Sequence, residues 1–171
     1  MKFLVTTSKR PSKRARSFIK DLAQIFISER IVRGKKSLDE LKNLLIQKKA
    51  EGILIVDTKW GNPSRIRIIK NDGSNFQILL KGVKLLRELR EKPPVPNNYP
   101  AILANNEKAD KLSKILNLQT VNSLNDIKGN INVIVLKSKK DKQGNEVILL
   151  NIYNSKTKKF YGPFLKIRNI I

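Results

Sequence analysis

Between Lys9 and Lys20 the chain sets six cations, Lys9, Arg10, Lys13, Arg14, Arg16 and Lys20, with no acid before Asp21. Guanidinium and ammonium groups at that density suit the binding of phosphate. Ser8 and Ser12 lie among them, but the chain has no His to activate a hydroxyl and no Cys to replace one. The chemistry on offer is recognition of an anion, not covalent catalysis.

The elements that must position these cations are written on either side. The apolar run Phe3-Leu4-Val5 ends in Thr6-Thr7-Ser8, and Lys9-Arg10-Pro11-Ser12 then leads into helical periodicity. The order is strand, basic turn, helix. With Ser12 as N-cap and about 100° per residue, Ala15, Phe18, Ile19, Leu22 and Phe26 share one arc, while Lys13, Arg14, Arg16 and Lys20 take the other. A run of Lys and Arg is ordinarily a solvated face. Two features argue for more here. A helix start favours Asp and Glu, so cations in its first turn oppose the macrodipole, and an outside anion would relieve that conflict. The second feature is the charge of the whole chain.

Lys plus Arg number 36 and Asp plus Glu 14, a net charge of +22 over 171 residues. Self-repulsion of that size calls for an anionic partner. The 40% of hydrophobic residues is enough for a folded core. No apolar run approaches the ~20 residues of a membrane span, and the basic-then-apolar order of a signal peptide is missing, so a cytoplasmic location and no membrane partner are expected. Without Cys and His, disulfides, thiolate metal sites and His-based acid–base schemes fall away. No Gly-rich phosphate loop occurs. Asp39-Glu40 reads as helix capping, Asp57 as a strand end, and isolated acids such as Asp21 and Asp57 as local charge compensation. No enzyme activity, catalytic residue, cofactor, metal or small-molecule substrate is expected.

Further along, Glu29 to Val32 reads as a short strand, Gly34-Lys35-Lys36 as a basic turn, and Ser37 to Glu40 as a capping box opening a helix with Leu38, Leu41, Leu44 and Leu45 on its apolar face. Gly52 to Asp57 is a buried strand, Trp60-Gly61-Asn62-Pro63 a turn, and Arg65-Ile66-Arg67-Ile68 a half-exposed strand with outward cations. Asn71-Asp72-Gly73 marks a hairpin returning through Phe76 to Leu80. Leu85 to Glu91 suggests a short helix. Four of the seven prolines then fall within 93–100, a stiff connector between halves 1–92 and 101–171.

The second half parallels the first. Ala101 to Ala104, Lys108 to Leu118, Leu118 to Val121, Ser123 to Lys128, Ile131 to Leu136, Val147 to Ile152 and Phe160 to Ile167 follow as strand, helix, strand, helix and three strands. We read an α/β fold of two similar small halves arising by internal duplication, each a mostly β-sheet core with packed helices. The basic start is not repeated, since Asn106-Glu107-Lys108-Ala109-Asp110 stands in its place.

The stretch from Leu4 through Lys9-Arg10-Pro11-Ser12-Lys13-Arg14 to Leu22 resembles the opening motif of Brix-domain proteins, and is particularly similar to the short archaeal members. Tyr161-Gly162-Pro163-Phe164-Leu165-Lys166-Ile167-Arg168 looks like the Gly-Pro element that closes the same domain. The resemblance spans 1–171 as a single Brix-type domain. It implies halves similar to the anticodon-binding domain of some tRNA synthetases, and an assembly factor in ribosome biogenesis that binds precursor ribosomal RNA, with other ribosome assembly proteins as possible partners. With Ile171 standing just past the Gly-Pro element, the tails through which eukaryotic members contact partners are expected to be missing, and those members' partners are not carried over. The residues alone leave open a permanent basic ribosomal protein or a DNA-binding chromatin protein, and more distantly an RNA-modifying enzyme.

The RNA contacts expected are Lys9, Arg10, Lys13, Arg14 and Arg16 first, with Lys20, Lys35 and Lys36 flanking. Arg65 and Arg67 lie on the half-exposed strand, and Lys166 and Arg168 form a second patch. Among the aromatics Trp60, Tyr99, Tyr153, Phe160 and Tyr161, most read as core or turn anchors. Trp60 is the candidate for base stacking.

Overall fold

The opening motif folds as its pattern dictates: β1 (Phe3–Thr7), a basic turn, then α1 (Lys13–Phe26), whose N-cap Ser12 accepts the Ala15 N–H at 3.1 Å. The computed structural model describes residues 2–171. It divides into one unit running to Leu80 and taking in Ile171, and another of Lys81–Ile170.

The first unit continues with β2 (Glu29–Arg30), α2 (Leu38–Gln47), β3 (Gly52–Lys59), β4 (Asn62–Lys70) and β5 (Asn75–Lys84), within which the chain passes into the second unit. The strand order is β2-β1-β3-β4-β5. Strand β1 runs parallel to β2 and β3, while β3, β4 and β5 pair antiparallel. One face of the sheet, with Leu4, Ile53 and Ile55, is covered by Leu41 and Leu45 of α2. Alternation turns Phe3, Val5, Leu54 and Val56 to the other face, against which α1 packs with buried Ala15, Phe18 and Leu22.

The capping box of α2 is complete, with Ser37 Oγ accepting the Glu40 N–H at 3.1 Å and Glu40 accepting the Ser37 N–H at 2.6 Å. Two expectations need correction. Leu38, the first residue of α2, is exposed, and the helix buries Leu41 and Leu45. Asn62 and Pro63 belong to β4; the β3–β4 turn is the pair Trp60-Gly61, both at positive φ, which matches strand twist in a two-residue hairpin.

The second unit holds α3 (Leu86–Leu89), β6 (Ala101–Leu103), α4 (Glu107–Leu116), β7 (Gln119–Val121), β8 (Asn132–Lys140), β9 (Glu146–Asn154) and β10 (Lys159–Ile170). Its strands run β7-β6-β8-β9-β10, the order of β2-β1-β3-β4-β5 in the first unit. The likeness is topological. Where the first unit has α2, the second has only a single 3₁₀ turn, Leu124–Asp126, and not the helix expected from Ser123 onward. Ser123 does cap that turn, accepting the Asn125 N–H at 3.2 Å, but Gly129 at φ +88 ends any continuation. Residues 93–100 carry no helix or strand. Among the described residues no helix is long and apolar enough to cross a membrane.

Two substitutions test this frame. Ile27 ends α1 at φ +48, a left-handed conformation hostile to a β-branched residue, while the Ser28 N–H closes on the Ala23 carbonyl at 2.9 Å. Ile27→Gly is therefore expected to raise unfolding free energy in urea by about 1 kcal/mol. At Gly52 a Cβ would fall 2.6 Å from Phe3 Cε1 and 2.8 Å from the Ile69 carbonyl oxygen, a backbone atom with no room to yield. Gly52→Ala is expected to lose about 1 to 3 kcal/mol in the same titration.

Candidate nucleic-acid interface

In a parallel α/β sheet each strand delivers its following loop to the carboxyl edge, where ligands commonly bind. The register sets Thr7 of β1 opposite Val56 of β3, and Val5 opposite Arg30 of β2. Three loops far apart in sequence are thereby brought to one edge of the first unit. After β1 come Lys9 and Arg10 and the start of α1. Beyond β2 lies the turn carrying Lys35 and Lys36. Strand β3 ends in the Trp60-Gly61 turn.

The two threonines of the opening motif are buried and hold this edge together. Thr6 Oγ1 donates to the Ile31 carbonyl at 2.6 Å. The Thr7 carbonyl accepts from Arg33 Nη1 at 3.1 Å, and Arg33 Nε donates to the Lys36 carbonyl at 2.8 Å. A buried guanidinium thus pins the basic turn after β2 to the end of β1. Its pKa is pushed below the ordinary guanidinium range first by burial, then by Arg67, with Asp57 opposing, and it remains a cation. Sequence reasoning passed over Arg33, although an Arg beside the Gly34-Lys35-Lys36 turn was the available signal.

The expected contacts fall into distinct groups. Lys9, Arg10, Lys13, Arg16, Lys20 and Lys35 reach solvent. Arg14 is bound within the protein, donating from Nη1 to Asn62 Oδ1 at 2.6 Å, which ties the start of α1 to the β3–β4 hairpin. Lys36 donates to the Val32 carbonyl at 3.1 Å. Trp60, at the hairpin tip two residues before Asn62, is 89% exposed. Arg65 and Arg67 are not simply outward: Asp57 Oδ2 accepts from Arg65 Nε at 2.8 Å and from Arg67 Nε at 2.7 Å, and its Oδ1 accepts from Arg67 Nη2 at 2.9 Å. Asp57 compensates local charge, as its isolation in a basic chain suggested. Lys166 and Arg168 belong to β10 of the second unit and are exposed there.

The edge therefore offers solvent-facing cations beside a buried Arg33 and an Asp57 already occupied by two guanidiniums, with an indole facing solvent. Such an arrangement can grip phosphates and stack one base; nothing in it resembles acid–base machinery. The class it defines is a two-unit α/β protein with a strongly basic edge.

No family model matches the chain. It is 35% identical over 107 residues to a protein of Thermococcus kodakarensis named probable Brix domain-containing ribosomal biogenesis protein, covering 58% of this chain and 51% of that one. A protein of the same name from Aeropyrum pernix is 41% identical over 92 residues, 50% of this chain and 51% of that one. The matches span about half the length of these curated relatives. The crystal structure of a probable ribosomal biogenesis protein from Aeropyrum pernix superposes with a TM-score of 0.79 at 27% identity, covering 98% of this chain and 96% of the other. The chain is thus similar to archaeal proteins that carry the name of the family its opening motif resembles.

One backbone feature of the edge is testable. Arg10 sits at φ +54, directly before Pro11, a conformation that a non-glycine residue adopts at a cost of about 1 kcal/mol. Arg10→Gly is expected to leave the thermal midpoint unchanged or slightly raised, since relief of that strain offsets the greater freedom of glycine in the unfolded chain. A clear drop in calorimetry would mean that the Arg10 side chain holds the turn.

Proposed function

We propose that this protein is an RNA-binding factor in ribosome biogenesis that grips precursor ribosomal RNA at its basic strand-to-helix turn and assists its folding, processing or assembly. The observation that carries the reading is the convergence of Lys9, Arg10, Lys13, Arg16 and Lys35 with an exposed Trp60 on one edge, from three segments distant in sequence. The names of the archaeal relatives support the setting. Lys9, Arg10, Lys13 and Arg16 are the principal phosphate contacts, joined by Arg14 once it exchanges Asn62 for a phosphate, and Lys20, Lys35 and Lys36 flank them. Arg65 and Arg67 set the potential from beneath while remaining on Asp57, and Lys166 and Arg168 form a second patch. The protein acts as a cytoplasmic assembly factor without catalysis, and residues 1–171 work as one Brix-type domain whose partners include other assembly proteins.

The test is the salt dependence of binding to a precursor ribosomal RNA. Removal of one cation from a phosphate should flatten the log–log slope by about 0.7 to 0.9. Changing Lys9, Arg10, Lys13, Arg14 and Arg16 together to Ala is expected to reduce the slope by several units with circular dichroism unchanged. Trp60→Ala is expected to weaken binding by about 1 to 3 kcal/mol with the slope intact, the mark of a stacked base. An unchanged slope in the fivefold variant overturns the reading. Cosedimentation with mature subunits, instead of precursors, would reassign the protein as a permanent ribosomal component, and preference for duplex DNA of equal length as a chromatin protein.

A further inference from the structure

The second unit carries a charged depression of about 540 Å³ that the strand-to-helix turn leaves unused. Its lining includes Lys81, Lys139, Lys140, Lys142 and Lys166 against one acid, Asp141. That acid is committed. Asp141 Oδ2 accepts from Lys81 Nζ at 2.7 Å, and Oδ1 accepts the N–H groups of Gln143 and Asn145 at 2.9 Å each, building the β8–β9 turn. Its carboxyl is held below the ordinary range by Lys81 first and by those N–H groups. Lys139, Lys140, Lys142 and Lys166 make no ion pair among the described residues. Glu146, opposite Lys140, accepts from the Ser138 hydroxyl, and alternation from Val147 turns it to the other face of the sheet.

The register explains the shape. Leu149 of β9 stands between Lys137 of β8 and Lys166 of β10, and Val147 faces Lys139. Residues two apart share a face, so an apolar stripe, Val147 and Leu149, runs between two rows of cations, Lys137 and Lys139 on one side, Lys166 and Arg168 on the other. The rows lie two strand spacings apart, about 10 Å. Past Lys81, Leu149 and Lys166 the depression opens into a groove of about 600 Å³ lined by Val83, Phe164 and Leu165.

We propose that this trough is a second nucleic-acid site that takes a single-stranded RNA segment, phosphates on the lysine rows and base faces over the apolar stripe toward Phe164. The inference rests on the RNA-binding reading above. Lysine is a compact point charge suited to phosphate without bidentate selection, and an apolar floor is desolvated by bases, which a duplex keeps stacked inside. A charged groove with a sequence-tolerant stacking floor is the usual physical form of a single-strand site.

The experiment compares the full chain, the fivefold variant of the turn, and a variant with Lys137, Lys139 and Lys142 changed to Ala, three exposed positions whose replacement should leave thermal melting unchanged. The probes are an oligouridylate, an RNA duplex of equal length and polyglutamate. The trough variant is expected to show a salt slope on oligouridylate flatter by about 2 units, with duplex binding retained, and the fivefold variant to keep this component. An unaltered oligouridylate slope in the trough variant overturns the proposal even where the fivefold variant is impaired. A flatter slope in the trough variant with no change in the fivefold variant sustains the trough and overturns the turn. Polyglutamate displacing oligouridylate at equal charge would overturn the proposal in favour of an acidic protein partner.

Discussion

The parallel register of β1 with β2 and β3 is the constraint on which the first unit depends. Thr7 opposite Val56 and Val5 opposite Arg30 decide that three loops end at the same edge. A slip of one residue would turn Leu4 out of the α2 core and swing Thr6 away from the Ile31 carbonyl. Packing is what prevents the slip. Gly52 sits against Phe3 and the Ile69 carbonyl with no space for a side chain, so the close approach of the strands fixes the register independently of the charges.

That register imposes an electrostatic problem that the fold solves from within. Arg33, Arg65 and Arg67 gather near the ends of the strands, and two of them share the Asp57 carboxylate. The Arg67 pair is bidentate between largely buried side chains, the geometry in which hydrogen bonds to charged groups contribute about 1.5 to 3 kcal/mol. The Arg65 pair is more exposed, with the Arg side chain at 41%, and solvent reduces it toward the about 0 to 1 kcal/mol of surface pairs. One acid thus organises two guanidiniums without neutralising them. Lys9, Arg10, Lys13 and Arg16 face water.

What could be read from the residues was whatever follows from local pattern. The strand–turn–helix start, the Ser12 and Ser37 caps and the Asn71-Asp72-Gly73 hairpin rest on short-range chemistry, and the structure has all of them. The misreadings required tertiary knowledge. Residues 123–128 have the same polar signature as 37–42, but Gly129 and the approach to β8 leave space for one 3₁₀ turn only. Pro63 suggested a turn because it lacks an N–H, yet the bulge in the β3–β4 register after Asp57 accommodates it inside a strand. Arg65 and Arg67 looked solvent-bound by alternation, and only the pairing of Asp57 with Arg65 across β3 and β4 reveals the acid between them. Arg33 was passed over because a buried cation carries no periodic signal, and only its place beside the Gly34-Lys35-Lys36 turn marked it.

The two basic surfaces differ in residue type, and that difference separates their tasks. At the first unit's edge, guanidiniums held by carbonyls, by Asn62 and by Asp57 keep fixed directions, so an anion bound there meets a preformed geometry. In the second unit Lys139, Lys140, Lys142 and Lys166 are flexible ammonium arms over Val147 and Leu149. On the proposed reading, an edge of fixed Arg discriminates by shape, whereas a trough of Lys arms holds a flexible strand with little regard to sequence. Of the chain's net +22, that reading gives the rigid part selectivity and the mobile part retention.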